Sequence, residues 1–384
     1  MSAITEATGV TADTATVPTV ATAPANVARR PRVLLLRALG LGDFLTGVPA
    51  YRAVRRAFPQ HEIVLAAPAQ LAPLAELTGA IDRLLPTGEL APVRWPWPNE
   101  PPETAIDLHG NGPASRRLLE ELRPARIIGF SIRRAPSRGV CHFGPRWLPG
   151  EHEIHRWCRL LTRSGIPADP NDLDLEPPDP VTSPAASPQL LADRANTSTS
   201  TSATGRPWPA DFARPVIVHP GAAYPSRRWP PARFAAVAGY LNKSGWRVLV
   251  TGSSGERDLA EYVTRAAGLP PHAAVAGQTT PLNLACLVAE AALVVSGDTG
   301  IAHLATAFRR PSVVLFGPIP PEEWGPPPDR PWHVALHAAE PGYHGDPHGG
   351  EIDPALDAIR ATDVIAAVDK LLDANREMHH FVRV

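Results

Sequence analysis

Two short glycine-containing loops, one near each end of the chain, constrain the fold more than any other feature of the sequence. Residues 37–43 follow the apolar run 33–36, and residues 296–303 follow the apolar run 292–295. Each apolar run is typical of a buried parallel strand, and each loop precedes a helix-like stretch. A strand, a turn of small residues and a helix start let a ligand approach backbone N–H groups. The two places predict two similar α/β domains that face one cleft.

The domain organisation follows from length and from the alternation of patterns. The chain has 384 residues, more than one core usually covers, so two domains are expected. Strand-like and helix-like stretches alternate over 31–168 and again over 212–358, which predicts parallel sheets covered by helices. The polar, proline-punctuated residues 169–211 predict a flexible linker. Residues 1–30 predict a disordered tail, and 359–384 contain a last amphipathic helix.

Composition excludes several classes of function. The net charge of -1 gives no electrostatic reason to expect nucleic acid or an acidic membrane surface as a partner. The three cysteines are far apart and form neither a disulfide framework nor a metal-spaced pair, which favours a reducing cytoplasm. No apolar run reaches the roughly twenty residues that cross a bilayer, although peripheral contact with a membrane stays open.

Asp43 is the residue of the first loop with the most useful chemistry. It follows Gly40 and Gly42 near a helix start, where a carboxylate can cap free N–H groups and interact with the helix dipole. A carboxylate above a glycine turn can also act as a general base toward an incoming hydroxyl, and the two roles are compatible. The loop lacks the third glycine of the dinucleotide fingerprint, so it does not predict nucleotide binding.

Two segments of the second half place polar residues between a strand and a helix. His219 ends a strand, and Arg227 and Arg228 lie at the next helix start. Adjacent cations oppose the helix dipole there, so they are either a solvated pair or a site for an anion such as a diphosphate. Glu256 follows another glycine turn and is either part of an acidic first helical turn or a carboxylate that holds a ribose.

Residues 296–303 give the strongest local signal. Gly297 and Gly300 let a ligand come close to the backbone. Asp298 and Thr299 place a carboxylate, a hydroxyl and N–H donors at one helix start, and His303 lies one turn further on. The alternative is a capped helix with a histidine on its polar side.

Two groups of metal-ligand residue types are predicted not to bind metal. Asp172 and Asp174 have the D-x-D spacing of many metal-dependent sugar transferases, but they lie in the proline-rich linker. His337, His344 and His348 lie in the glycine-rich residues 337–350, which predict a surface loop, and they do not have the spacing that metal ligands show on a helix or strand. Neither a metal site nor a cofactor is therefore expected.

Taken together, these motifs resemble glycosyltransferase family nine, the ADP-heptose:lipopolysaccharide heptosyltransferases and their relatives. The matching stretches are residues 36–43 with 46–50, 219–222, 227–230, 296–303 and 311–318, so the resemblance covers about residues 32–320. It implies a GT-B fold, in which two Rossmann-like domains with parallel sheets face a central cleft. It also implies that 31–168 bind the acceptor, that 212–358 bind the nucleotide sugar, and that the final helix packs back on the N-terminal domain.

The resemblance implies a reaction as well: the inverting, metal-independent transfer of a heptose from ADP-heptose to a hydroxyl of a glycan or a small natural product. Arginine stands at position 227 where the family often has lysine, which keeps a positive charge for the donor phosphates. The expected site has Asp43 as the base, Arg37, Gly42 and His109 on the acceptor side, and His219, Gly221, Ser226, Arg227, Glu256, Asp298, Thr299, Gly300 and His303 around the donor.

Two other functions remain as alternatives. A GT-B-like epimerase releases a free sugar, so turnover of the donor without an acceptor favours it. A non-catalytic nucleotide-sugar-binding protein holds the donor tightly without turnover across a broad panel of acceptors.

Overall fold

The computed structural model describes residues 30–131, 141–178 and 214–381, in which strands and helices alternate along both halves. The strands of the first half are β1 Arg32–Leu36, β2 Glu62–Ala67, β3 Arg83–Pro86, β4 Thr104–Asp107, β5 Arg126–Ile128 and β6 Cys141–Phe143. Its helices are α1 Leu41–Thr46, α2 Val48–Ala57, α3 Ala72–Leu77, α4 Pro113–Glu120 and α5 Glu153–Arg163.

The first sheet is parallel and has the strand order β3-β2-β1-β4-β5-β6. Val33 of β1 pairs with Ile63 of β2 on one side and with Thr104 of β4 on the other. The apolar side chains of β1 are buried on both faces of the sheet, as is usual where helices cover both faces. The strand order reverses between β1 and β4, and ligands of open parallel sheets bind outside the carboxyl ends of the strands at such a point. Asp43 and His109 follow these two strands.

The second half repeats this pattern. Its strands are β7 Val216–His219, β8 Val248–Val250, β9 Leu293–Gly297, β10 Ser312–Phe316 and β11 His333–His337. Its helices are α6 Pro231–Lys243, α7 Arg257–Ala266, α8 Pro281–Ala289, α9 Gly300–Ala307, α10 Pro321–Trp324, α11 Pro354–Ala358 and α12 Ala361–Phe381.

The second sheet is also parallel and has the order β11-β10-β9-β7-β8. A single parallel bridge between Val250 and Ala274 extends it beyond β8. The strand order reverses between β7 and β9, so His219 and Asp298 follow the two strands at this point. Each half therefore places its predicted site residues at the same place in its own sheet.

The two glycine loops of the sequence lie directly against each other. Helices α1 and α9, which begin in these loops, pack together across the two halves. A Cβ added to Gly300 would lie 2.9 Å from Leu41 Cβ, and one added to Gly42 would lie 3.0 Å from His303 Cδ2. A continuous cluster of buried apolar residues also joins the halves, with Leu74 of α3 and Leu287 of α8 among its members. The halves are therefore closed on each other at this edge.

Residues 169–178 differ from the predicted flexible linker. Leu173 and Leu175 are buried, and the N–H of Leu175 donates to the carbonyl of Ala307 at 2.9 Å. The neighbouring aspartates are held by arginines, because Arg52 of α2 donates to Asp172 at 2.8 Å and Arg330 of the second half donates to Asp174 at 2.8 Å. This segment is therefore a packed connection between the halves. The rest of the predicted linker from 179, and residues 1–29 of the predicted tail, lie outside the described residues.

The last helix packs on its own half. Val364, Val368 and Leu371 of α12 belong to the buried cluster of the second sheet, and α12 contacts α6 and β10. Tyr240 of α6 donates its hydroxyl to the carboxylate of Asp369 at 2.8 Å. The apolar face of α12 at positions 364, 368 and 371 thus packs against the second half. The sequence-based expectation places this helix on the N-terminal domain, and its described part packs differently. Among the described residues, no helix is long and apolar enough to cross a membrane.

Candidate active site

Asp43 lies in the first turn of α1 and faces the second half. The N-cap of α1 is Gly40, with no side-chain hydrogen bond, so Asp43 is not the capping residue. Its carboxylate lies 3.8 Å from Nη2 of Arg37 and its side chain is 29% exposed. Burial raises the pKa of Asp43, while Arg37 and, across the halves, Arg227 oppose that rise. A carboxylate with a raised pKa that remains accessible has the properties of a general base.

Arg37 does not face the acceptor side of the cleft as predicted, because its side chain is fully buried. Its guanidinium donates to the carbonyls of Asp43 and Leu108. It also donates to Thr46 Oγ1 at 2.9 Å and to Glu153 Oε1 at 3.0 Å. With these bonds, Arg37 fixes the loop that carries Asp43 and has no exposed surface for a substrate.

His109 follows β4 and lies close to this loop. Its backbone N–H donates to Asp107 Oδ1 at 3.2 Å. The carboxylate of Asp107 also accepts from the Ser115 hydroxyl at 2.9 Å and lies 3.6 Å from the guanidinium of Arg116. Nδ1 of His109 is buried and has no hydrogen-bond partner among the described residues. Burial and the charge of Arg37 lower the pKa of His109, so its ring is neutral at pH 7. Gly42, the remaining residue predicted on the acceptor side, lies instead against His303.

Arg227 and Asp298 form the centre of the predicted donor site. Arg227 ends a short 3-10 helix over Pro225–Arg227, and its Nη2 donates to Asp298 Oδ2 at 2.9 Å. Together with Gly317 and Pro318 they line a small recess. Asp298 is nearly buried, whereas a quarter of the Arg227 side chain (26%) is exposed. The guanidinium can therefore keep its carboxylate partner and still contact an anion in the cleft.

The start of α9 provides further donors at this place. Thr299 is the N-cap, and its side chain caps none of the first N–H groups of the helix, an arrangement that suits the binding of an anion. Nε2 of His303 lies 4.0 Å from Asp298 Oδ1. Burial lowers the pKa of His303 to about 4, although Asp298 opposes this effect. His303 is therefore a neutral hydrogen-bonding group at pH 7.

Glu256 has the first of the two roles that the sequence leaves open, that of an acidic residue at a helix start. It completes a capping box with Ser253, whose N–H donates to Glu256 Oε2 at 2.7 Å. Its carboxylate also packs directly over Gly221, where an added Cβ would overlap it. Nδ1 of the adjacent His219 lies 2.9 Å from Thr251 Oγ1. The structure thus brings these residues together at the carboxyl ends of β7 and β8.

Ser226 lies on the wall of the same region. Its hydroxyl is buried without a hydrogen-bond partner, and its N–H donates to the carbonyl of Gly349 at 3.2 Å. Residues 337–350, which the sequence predicts as a surface loop, thus pack against the donor region. Of the three histidines there, His344 pairs with Glu323 at 2.5 Å and His337 with the carbonyl of Gly317 at 3.1 Å.

Comparison with known proteins places the chain in a family. The model of a family described as "Glycosyltransferase family 9 (heptosyltransferase)" matches residues 144–342, about half of the chain. The chain belongs to glycosyltransferase family 9. The family match covers the donor region, whereas Arg37, Asp43 and His109 lie before it.

Curated members of family 9 are similar to this chain over different lengths. Lipopolysaccharide heptosyltransferase 3 of Escherichia coli is 33% identical over 166 residues, which are 42% of this chain and 47% of that protein. The chain thus spans about half the length of this relative. Lipopolysaccharide heptosyltransferase 2 of Salmonella typhimurium is 23% identical over 320 residues, which are 76% of this chain and 84% of that protein.

Solved structures of family 9 proteins share the fold. The E. coli ADP-heptose lps heptosyltransferase II has a TM-score of 0.65 at 21% identity, over 90% of this chain and 99% of that chain. The family 9 glycosyl transferase from Veillonella parvula has a TM-score of 0.67 at 19% identity, over 91% of this chain and 99% of that chain. The predicted α/β GT-B fold is therefore confirmed.

The residues that support Asp43 in this family 9 chain are not apparent from the sequence. Glu153, Arg156 and Trp157 begin α5, and all three are buried. Their spacing along the helix is that of an amphipathic face, and nothing in the local sequence indicates that Glu153 binds Arg37. The usual exposure of glutamate and arginine would instead predict a solvated pair on the helix surface.

Proposed function

We propose that this family 9 protein transfers a heptose from ADP-heptose to an acceptor hydroxyl, with inversion and without a metal ion. The observation that carries the proposal is the close packing of α1 on α9, because it brings Asp43 of one half within electrostatic range of Arg227 of the other, and Arg227 binds Asp298. The names of the relatives, which are lipopolysaccharide heptosyltransferases, support the choice of sugar. The acceptor is a hydroxyl of a glycan or a small natural product.

The proposed reaction is a single displacement. The carboxylate of Asp43 takes the proton of the acceptor hydroxyl while the oxygen forms a bond to the anomeric carbon. The bond from that carbon to the phosphate oxygen breaks, and its electron pair leaves with ADP. Because attack and departure occur on opposite faces, the configuration inverts. Asp43 then releases its proton to solvent.

The departing diphosphate gains negative charge, and the second half presents positive charge to it. Arg227 supplies a guanidinium, and the start of α9 supplies N–H groups and the positive end of the helix dipole. His219, Glu256 and Ser226 are proposed to hold the nucleoside. The aspartates with D-x-D spacing have another role, since Asp172 and Asp174 bind arginines at the connection between the halves.

The role of Asp43 is tested with an Asp43→Asn variant in an assay of ADP release from ADP-heptose in the presence of a panel of glycan and small-molecule hydroxyl acceptors. Turnover by the variant should fall by about 10²-fold or more, because general-base catalysis contributes a factor of that size. Its affinity for ADP in calorimetry should equal that of the wild type. Asp258→Asn is the matched control, since Asp258 is also in the first turn of its helix but lies in α7. Turnover by Asp43→Asn near that of the control excludes Asp43 as the base.

The donor site is tested by binding. Arg227→Ala should weaken ADP binding about 10- to 100-fold, since a hydrogen bond to a charged group contributes about 1.5–3 kcal/mol. Arg228→Ala is the control, because its guanidinium donates to the carbonyl of Ala222 at 2.8 Å instead. Thermal-shift measurements with ADP, GDP, UDP and dTDP sugars test the nucleotide. A larger stabilisation by another nucleotide sugar than by ADP-heptose contradicts the choice of donor.

A further inference from the structure

Glu153 is a buried carboxylate at the start of α5 that the proposed reaction does not use. It is 5% exposed. Oε1 accepts from Trp157 Nε1 at 2.7 Å and from Arg37 Nη2 at 3.0 Å, and Oε2 accepts from Arg156. Burial alone would raise the pKa of Glu153, but Arg37 and Arg156 outweigh it and hold the pKa below its ordinary value. Glu153 is therefore a charged group at neutral pH with both oxygens engaged.

The carboxylate of Glu153 binds Arg37, and Arg37 in turn contacts Asp43. The guanidinium of Arg37 lies between Glu153 Oε1 at 3.0 Å and Asp43 Oδ1 at 3.8 Å. It also stacks on the ring of Trp157 at 4.9 Å. The shorter distance to Glu153 means that Arg37 makes its full ion pair there and only a looser contact with Asp43. Since Arg37 also donates to the backbone carbonyl of Asp43, its position decides the position of the loop.

We propose that Glu153 is a positioning residue for the transfer reaction: it holds Arg37, and through Arg37 it keeps the Asp43 carboxylate free and correctly placed to accept a proton. This inference rests on the proposed role of Asp43 as the base. Without the negative charge of Glu153, Arg37 is expected to move onto the Asp43 carboxylate. Asp43 would then be a tightly paired anion, which is a poor base.

The charges around Asp43 agree in sign with this inference. The groups that face it are Arg37 at the end of β1, Glu153 of α5, Arg227 of the second half and the phenol of Tyr51 in α2. Glu153 raises the pKa of Asp43 by repulsion, while Arg37 and Arg227 lower it. Removal of the Glu153 charge deletes the repulsion and strengthens the Arg37 pair, so both effects weaken the base.

The test is Glu153→Gln, which keeps the shape and an acceptor for Trp157 but removes the charge. Glu151→Gln is the matched control, because Glu151 pairs with Arg159 at 2.6 Å and touches neither Arg37 nor Asp43. The first readout is a ¹³C NMR titration of protein with labelled aspartate carboxyls, with the Asp43 signal assigned by its absence in Asp43→Asn. The midpoint of Asp43 should fall by about one pH unit in Glu153→Gln and stay unchanged in the control.

The second readout is ADP release as a function of pH from ADP-heptose and an acceptor that the wild type uses. The acidic limb of kcat/KM should move down with the NMR midpoint, and kcat should fall about tenfold or more with a nearly unchanged KM for the donor. Unchanged titration and unchanged kcat in a folded Glu153→Gln protein overturn the inference. If that variant does not fold, Glu153→Asp replaces it: the charge is kept but displaced, so a lower kcat supports the inference and an unchanged kcat overturns it. A wild type that releases no ADP with any acceptor of the panel refutes the proposed function, and the NMR midpoint alone then decides the role of Glu153.

Discussion

The contact between the two glycine loops predicts the effect of a single added methyl group. In Gly300→Ala, the new Cβ would lie 2.9 Å from Leu41 Cβ and 3.0 Å from both Leu41 Cγ and Cδ2. Ordinary carbon–carbon contacts are about 3.5–4.0 Å, so each pair is too close by about 0.5–1 Å. Because Cβ of Leu41 is fixed to the backbone of α1, a change of rotamer cannot relieve all three contacts. The two halves would have to separate slightly.

The magnitude follows from two opposing effects. Overpacking of this kind costs about 1–3 kcal/mol. Alanine at a helix start recovers up to about 1 kcal/mol, because glycine loses more conformational entropy on folding. The free energy of unfolding of Gly300→Ala should therefore be about 1–2 kcal/mol lower than that of the wild type. Urea unfolding of the ligand-free protein measures it as a lower midpoint at an unchanged slope.

Two further variants separate this effect from others. Gly255→Ala is the matched control, since the nearest atom to an added Cβ there is Ser253 Oγ at 4.0 Å, and it should be neutral or slightly stabilising. In a Leu41→Ala background, two of the three close contacts disappear, so Gly300→Ala should cost less than it does alone. An unchanged midpoint in Gly300→Ala, or the same cost in both backgrounds, would show that α1 and α9 do not pack this closely.

Three other perturbations have defined outcomes. Burial lowers the pKa of His333 to about 3 from the ordinary 6.5. The unfolded state therefore binds more protons between these pH values, and stability is lost as the pH falls through that window. Between about pH 7 and about pH 4.5, the free energy of unfolding measured in urea should fall less for His333→Gln than for the wild type. Asp174→Asn removes the ion pair with the nearly buried Arg330 at 2.8 Å and should lower the free energy of unfolding by about 1 kcal/mol or less. Gly221→Ala displaces the carboxylate of Glu256 and should weaken ADP binding by up to about tenfold in calorimetry, with little change in unfolding.

Each of these outcomes can fail in a recognisable way. Equal loss of stability on acidification in wild type and His333→Gln would mean that other groups carry the pH dependence. If Asp174→Asn is as stable as the wild type, the ion pair with Arg330 contributes nothing to the free energy of unfolding. Unchanged ADP affinity in Gly221→Ala would remove Glu256 from the donor site.

The sequence predicts much of the fold because local patterns decide it. The apolar runs before the two glycine loops become β1 and β9, both buried on both faces. The helix starts that follow them are α1 and α9. Parallel strands must be joined by crossovers, so alternation alone leads to two sheets with their functional loops at the carboxyl ends. The same reasoning correctly brings Asp298 and Arg227 to one place.

The sequence does not predict features that depend on distant partners. Arg37 and Glu153 are 116 residues apart, and each on its own indicates a solvated side chain. The edge strand β3 begins with Arg83 and ends with Pro86, and β11 has a histidine at each end, so only two and three apolar residues lie between these ends. The apolar face of α12 is visible in the sequence, but either half could have covered it.

The short connection over residues 169–178 has a consequence for the way the protein is made. The N–H of Leu175 needs the carbonyl of Ala307, which is synthesised well over a hundred residues later. At about 5–20 residues per second, roughly ten seconds pass between the synthesis of Leu175 and that of Ala307. Contacts between residues so far apart in sequence form late in folding. The joining of the two halves is therefore expected to be the last and slowest step of folding, and Leu175 is among the apolar side chains that stay exposed until it is complete.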